Sequence, residues 1–155
     1  MAAKKVTSKK AAAKKAAPKS SKVKKSAKKS TAKKSTAAKP AAPVGPYTPV
    51  VRAGDWVIVS GQLGLKDGVM AKGVAAQTAQ AVVNLKARLA EAGVTINDVK
   101  KTLCFLTDMD TFAEFNEAYV AGFDGARPAR STIGVAALPF GGNVEIEAWA
   151  YKPLR

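Results

Sequence analysis

Apolar positions divide the chain into two regimes. Before residue 44 the only aliphatic side chains larger than alanine, after Met1, are Val6 and Val23; beyond it apolar residues recur at spacings that specify secondary structure. The run Asp55-Trp56-Val57-Ile58-Val59-Ser60 is β-branched and aromatic and predicts a strand that stops at Gly61. Residues 74–92 carry Val82, Leu85, Leu89 and Ala92 at helical spacing among many alanines, with Gly93 behind them, which predicts a helix with a C-terminal stop. Across residues 101–107, Leu103 and Phe105 alternate with Cys104 and Leu106 as in a strand. Thr111 and Glu114 then stand at capping-box spacing ahead of a second helix whose stripe is Phe112, Phe115, Tyr119 and Phe123. A third strand is expected over residues 131–136 and a last over 144–151, where Val144, Ile146, Ala148 and Ala150 alternate with Glu145, Glu147, Trp149 and Tyr151. Residues 64–70 leave room for a hairpin partner to the first strand.

This order describes an α+β fold. Two of the strands are apolar on both faces, yet two helices of this length cover only one face of such a sheet. The other face therefore needs a partner, and the pattern predicts a homo-oligomer whose subunits cover each other's sheets.

Charge sharpens the division. The chain carries a formal +15 from 26 basic and 11 acidic residues, and 15 of the basic ones are lysines within residues 1–40, which hold no acid; residues 41–155 balance 11 against 11. Lysine pairs recur at 4/5, 9/10, 14/15, 24/25, 28/29 and 33/34, a spacing that spreads charge around a helix instead of gathering it on one face. With so little to bury, residues 1–43 are expected to be a disordered basic tail and residues 44–155 the single folded domain, with Pro40, Pro43 and Pro46 marking the boundary. In composition the tail resembles the Lys/Ala/Pro tails of linker histones and of some bacterial nucleoid proteins. A polycation of this kind suits sequence-independent, salt-sensitive binding of nucleic acid through residues 4–39; a purely solubilising role is the alternative.

Composition also excludes chemistry. No histidine is present, so a histidine general base, a Ser-His-Asp relay and a histidine-held metal are ruled out. The only cysteine, Cys104, has no partner for a disulfide, a CxxC pair or a zinc knuckle, and its apolar neighbours place it in the core of a protein from a reducing compartment. No run approaches the length of a membrane span, and the N-terminus lacks both the apolar stretch of a secretory signal and the arginines of a transit peptide. A cytoplasmic protein is expected, with nucleoid association open to it through the tail.

Four segments stand out as candidate chemistry: Gly45-Pro46-Tyr47, Ser60-Gly61-Gln62, Arg127-Pro128-Ala129-Arg130-Ser131 and Glu145-Ile146-Glu147. Singly, each also reads as an ordinary turn, strand end or solvated face. Arg130, a planar guanidinium where a strand begins, suits bidentate capture of a carboxylate, or else a structural ion pair with Asp124 or Glu147. Glu145 and Glu147 share a strand face with Trp149, where one of them could be desolvated enough to hold a water as a base.

Taken in order, GPY, SGQ, the N-L-K at Asn84, V-K-K-T at Val99, D-M-D-T-F-A-E-F-N-E-A-Y, PARS, and ALP followed by VEIEAWA resemble the RidA (YjgF-type) proteins, over residues 44–155. The resemblance implies a chorismate-mutase-like mixed sheet with two helices on one face, and a homotrimer with three active sites in the clefts between subunits. It implies hydrolysis of reactive 2-imino acids, 2-iminopropanoate and 2-iminobutanoate, to 2-oxo acids and ammonia without metal or cofactor. Carried over, Arg130 clamps the substrate carboxylate and Glu145 positions the attacking water, while Tyr47, Ser60, Gly61, Asn116 and Thr132 line the cleft. Two positions depart from the family's pattern: Thr132 stands where cysteine is frequent, and Thr48-Pro49 follow GPY where Ser-Gln is common. Thr132 keeps a small polar group, which points to altered substrate preference. The competing reading is a trimeric nucleoid- or RNA-associated binding protein with a non-deaminating or ligand-sensing cleft. Some family members have been described as ribonucleases, but the chain offers no histidine pair and no metal cage for RNA cleavage.

Overall fold

The computed structural model describes residues 42–155; the basic tail expected over residues 1–43 lies outside them except for its last two positions. In chain order the domain runs β1 (Val50–Ala53), β2 (Trp56–Leu63), β3 (Leu65–Lys66), β4 (Val69–Met70), α1 (Val74–Glu91), β5 (Val99–Leu106), α2 (Phe112–Gly122), β6 (Ala129–Gly134) and β7 (Val144–Tyr151). Short 3₁₀ turns precede β5, α2 and β7. The main sheet has the order β1-β2-β7-β5-β6. Its pairs are antiparallel except β5 with β6, which are parallel, so the sheet is mixed as expected. β3 and β4 form the small hairpin that the segment 64–70 suggested.

The alternation on β7 sets the layers. Val144, Ile146, Ala148 and Ala150 are fully buried and join Val57, Val59, Cys104 and Leu106 in a core with Val82, Leu85 and Leu89 of α1 and Phe115, Tyr119 and Phe123 from α2 and its end. Both helices thus lie on one face of the sheet. The other face carries Trp56, Ile58 and Ile133, all at least 39% exposed, with Glu145, Glu147 and Trp149 between them. Exposed apolar side chains of that size on an open sheet face are the feature anticipated from strands apolar on both sides.

Several boundaries differ from the sequence expectation, each for a local reason. β2 does not stop at Gly61: it continues to Leu63 through a register shift between Val59 and Gln62 in its pairing with β7. β1 was not anticipated, because its four residues are too few to show a period. The capping box of Thr111 and Glu114 does not form. Thr111 donates its hydroxyl to the Asp108 carbonyl at 2.6 Å, and Asp108 accepts the Asp110 N–H at 2.9 Å. Glu114 reaches across to the other helix instead, where its carboxylate accepts the Ala75 N–H at 2.9 Å. That bond supplies the N-terminal cap that Gly73, having no side chain, cannot give α1. Asn84 of α1 ties down the turn after β2, donating to the carbonyls of Leu63 and Leu65, both at 2.8 Å. Gly64 lies so close to α1 that a β-carbon there would meet the Gln77 backbone at 2.6 Å. Among the described residues no helix is long and apolar enough to cross a membrane.

Candidate active site

The predicted site residues assemble into two groups. The first lies at the sheet edge, on the helix-covered face. Arg130 of β6 pairs in register with Thr102 of β5, so its side chain leaves the sheet toward α2. There it donates from Nη2 to Asn116 Oδ1 at 2.7 Å. Its guanidinium carbon stands 5.7, 5.4 and 4.7 Å from the ring centroids of Phe112, Phe115 and Tyr119. Among the described residues no carboxylate pairs with it: Asp124 pairs with Lys86, and Glu147 lies on the opposite face. The structural ion pair considered for Arg130 is therefore absent among the described residues, and the hydrogen bond to Asn116 takes up only one of its donors.

Thr132, two residues further along β6, shares this face. Its hydroxyl is buried and, the Cys104 thiol aside, has no hydrogen-bond partner among the described residues. It lies beside Cys104, whose thiol is pushed up to about 11, chiefly by burial. Cys104 is accordingly a core residue and a poor nucleophile, as its neighbours in the sequence implied.

The second group sits on the open face and at the free end of β2. Glu145 of β7 leans over Gly61 so closely that a β-carbon at Gly61 would fall 1.6 Å from Glu145 Oε1. The shift in β2 and the missing side chain together make the space that the carboxylate fills. Neither Glu145 nor Glu147 has a hydrogen-bond or ion-pair partner among the described residues. Burial raises the Glu145 carboxyl above the usual carboxylate range, and the neighbouring Glu147 charge raises it further; burial alone raises Glu147. A carboxylate in that state is a better base than one in water. Ser60 adjoins this group, with its hydroxyl donating to the Pro49 carbonyl at 3.3 Å. Tyr47, 43% exposed, and Gly61 border a groove of about 760 Å³ between the N-terminal arm, the β3-β4 hairpin and α1.

The two groups do not meet within one chain. Phe105 pairs with Glu145 on one side and with Ile133 on the other, and Ile133 is three residues past Arg130. At strand spacings of roughly 4.8 Å and a rise of about 3.3 Å per residue, the α-carbons of Arg130 and Glu145 are about 14 Å apart, with their side chains on opposite faces. Sequence reasoning missed the partners that shape each group, Tyr119 and Thr102 for Arg130 and the β2 irregularity for Glu145. The stripe Phe115, Tyr119, Phe123 reads as core from its spacing, and nothing local to it announces an arginine.

Fold and site together define a small α+β domain with one helix-covered and one open sheet face, and with a guanidinium and a carboxylate on opposite sides of the sheet that have no ion-pair partner among the described residues. The family model described as Endoribonuclease L-PSP matches residues 36–152, and the chain belongs to this family, that of the RidA and YjgF proteins. The match begins inside the segment that composition assigns to the tail. The chain is 43% identical over 116 residues to the 2-iminobutanoate/2-iminopropanoate deaminase of Mus musculus, covering 73% of this chain and 85% of that protein. It is 42% identical over 113 residues to a RutC family protein of Pyrococcus horikoshii, covering 71% and 90%. Among solved structures, RidA from an Antarctic Psychrobacter superposes with a TM-score of 0.69 at 44% identity, covering 73% of this chain and 93% of that one. Escherichia coli TdcF with bound serine superposes at 0.69 and 36% identity, covering 74% and 93%.

Proposed function

We propose that the protein is a 2-iminobutanoate/2-iminopropanoate deaminase, acting in clefts between the subunits of a homotrimer. The observation that carries the reading is the placement on opposite faces of one sheet of Arg130 and of Glu145, whose pKa is raised, neither of them ion-paired among the described residues. A second copy laid on the open face covers Trp56, Ile58 and Ile133 and can bring its Arg130 edge to the first copy's Glu145. Family membership and the deaminase relatives support the chemistry.

In this reading Arg130, held by Asn116, receives the substrate carboxylate through its free donors. Glu145 accepts a proton from water as the water oxygen bonds to the imine carbon. The nitrogen takes up that proton from Glu145 and then the proton of the new hydroxyl, and leaves as ammonia as the carbon–nitrogen bond breaks and the carbonyl forms, giving the 2-oxo acid. An imine carbon is already electrophilic, so orientation and proton transfer suffice. Tyr47, Ser60, Gly61 and Thr132 complete the walls. The test couples threonine dehydratase to the protein with semicarbazide as competitor and compares the native chain with Arg130→Ala. The expected result is release of 2-oxobutanoate ahead of semicarbazide trapping by the native chain alone; trapping undiminished by either protein would remove the reading.

A second component concerns residues 1–40. Their 15 lysines and absence of acid, against a domain with balanced charge, favour binding of nucleic acid by counterion release, at roughly 10⁻⁴–10⁻⁶ M at physiological salt. Three tails on one trimer raise the effective concentration of each, so a cytoplasmic deaminase could be held at nucleic acid. Retardation of random DNA by the full chain and not by a chain starting at Ala41 is expected. Equal mobility with both would leave the tail a solubilising segment.

A further inference from the structure

Around Arg130 the residues form a closed circuit. Thr102 of β5 is the register partner of Arg130, and its buried hydroxyl shares a 2.8 Å hydrogen bond with the Tyr119 hydroxyl. The Tyr119 ring faces the Arg130 guanidinium, the nearest of its three aromatic neighbours at 4.7 Å. Behind it Phe123 is stacked with a centroid distance of 4.0 Å and an interplanar angle of 18°. One turn earlier on the same helix, Asn116 takes the guanidinium edge at 2.7 Å.

We infer that Tyr119, locked by Thr102 and backed by Phe123, is a positioning residue that fixes the plane in which Arg130 presents its fork to a ligand carboxylate. A single hydrogen bond to Asn116 leaves a guanidinium free to swing about that contact. A ring that is itself tethered at its far end removes the swing, because the cation is drawn to the ring face while the ring cannot follow it. Burial pushes the Tyr119 phenol up to about 12, so it stays neutral and serves as a platform, not as an acid. Freezing a side chain before it binds lowers the ordering cost of binding, so the effect falls on affinity more than on the chemical step.

The inference rests on the carboxylate-binding role proposed for Arg130, and its test separates the two. Only five arginines are present, so the Nε–Hε region of an ¹⁵N spectrum of the full chain is simple to assign with Arg130→Lys. The Arg130 signal is expected to be displaced by the Tyr119 ring current. It should move toward the random-coil position in Tyr119→Leu, and by a smaller amount in the same direction in Tyr119→Phe, which keeps the ring and loses its tether. In the deaminase assay, KM should rise about tenfold in Tyr119→Leu with kcat within about twofold, a split that general loosening of the core would not give. In an Arg130→Ala background the same substitution should add no further loss of 2-oxobutanoate binding. An Arg130 signal unmoved in both variants would overturn the inference, as would an undiminished effect of Tyr119→Leu without Arg130. The spectrum needs no substrate: a Tyr119-dependent signal in a chain that hydrolyses no imine upholds the positioning role and sinks the deaminase reading alone.

Discussion

Gly61 makes room for Glu145. A methyl group on Gly61 would occupy the position of the Glu145 carboxylate, with Oε1 only 1.6 Å away. The atom in the way is the end of a flexible side chain, so the backbone can accept alanine while the carboxylate must turn aside. Gly61→Ala is therefore expected to change stability by less than about 1 kcal/mol while lowering kcat/KM by roughly 10- to 100-fold through the misplaced base. Urea denaturation and the coupled assay on the same preparation check both halves; full activity in the variant would show that Glu145 need not stand where it does.

The charge of Glu147 gives a pH prediction. In the proposed mechanism Glu145 must be ionised to accept a proton, so activity should fall as pH drops through its raised pKa, with the acid limb of kcat/KM above the usual carboxylate range. Removing the like charge in Glu147→Gln lowers the Glu145 pKa, so the limb should move to lower pH. Lys101, on the same face, donates to Ser131 at 2.7 Å and is retained in both proteins. A pH–rate profile of the pair tests the sign.

The open sheet face yields a prediction about assembly. Ile58→Lys puts a charge into the apolar strip without touching Arg130 or Glu145. Sedimentation should show a trimer for the native chain and a monomer for the variant, and the variant should lose imine hydrolysis with its site residues unchanged. An active monomer would refute the intersubunit cleft.

Glu114 predicts a stability effect remote from the chemistry. Its carboxylate caps α1 by accepting the Ala75 N–H, a place where negative charge also complements the helix dipole. Glu114→Ala should cost about 1 kcal/mol, read from the urea midpoint, with KM unchanged.

Cys104 should resist alkylation. Fully buried and with its thiol near 11, it should not react with iodoacetamide at pH 8 until the chain is unfolded. Mass spectrometry before and after denaturant follows the label.

Much of the architecture was legible because the periods are long and clean. Eight residues of β7 alternate without a break, and α1 carries its stripe through several turns, so length and face could both be read. The four residues of β1 and the continuation of β2 past Gly61 were not, since a glycine in a strand reads as an end unless one knows what fills the space beside it. Thr111 and Glu114 had the right spacing for a local cap, yet Thr111 bonds the Asp108 carbonyl in the preceding turn, and Glu114 finds a partner in Ala75 that only the packing of α2 on α1 supplies. Arg130, Glu145 and Gly61 were identified as candidates by motif, but their distribution over two faces follows from strand parity combined with the parallel pairing of β5 and β6. Tyr119 was read as core, which it is; that its ring also meets a guanidinium depends on β6, the strand that carries Arg130.

The order of the sheet bears on how the domain folds. β7 follows the other strands along the chain yet is the central one, pairing with β2 from Trp56 to Leu63 on one side and with β5 on the other. Until β7 docks, the β1–β2 pair and the β5–β6 pair have no strand to join them, and the sheet stays in two halves. Closing it takes slow, long-range pairing, and until then each half keeps an unpaired edge.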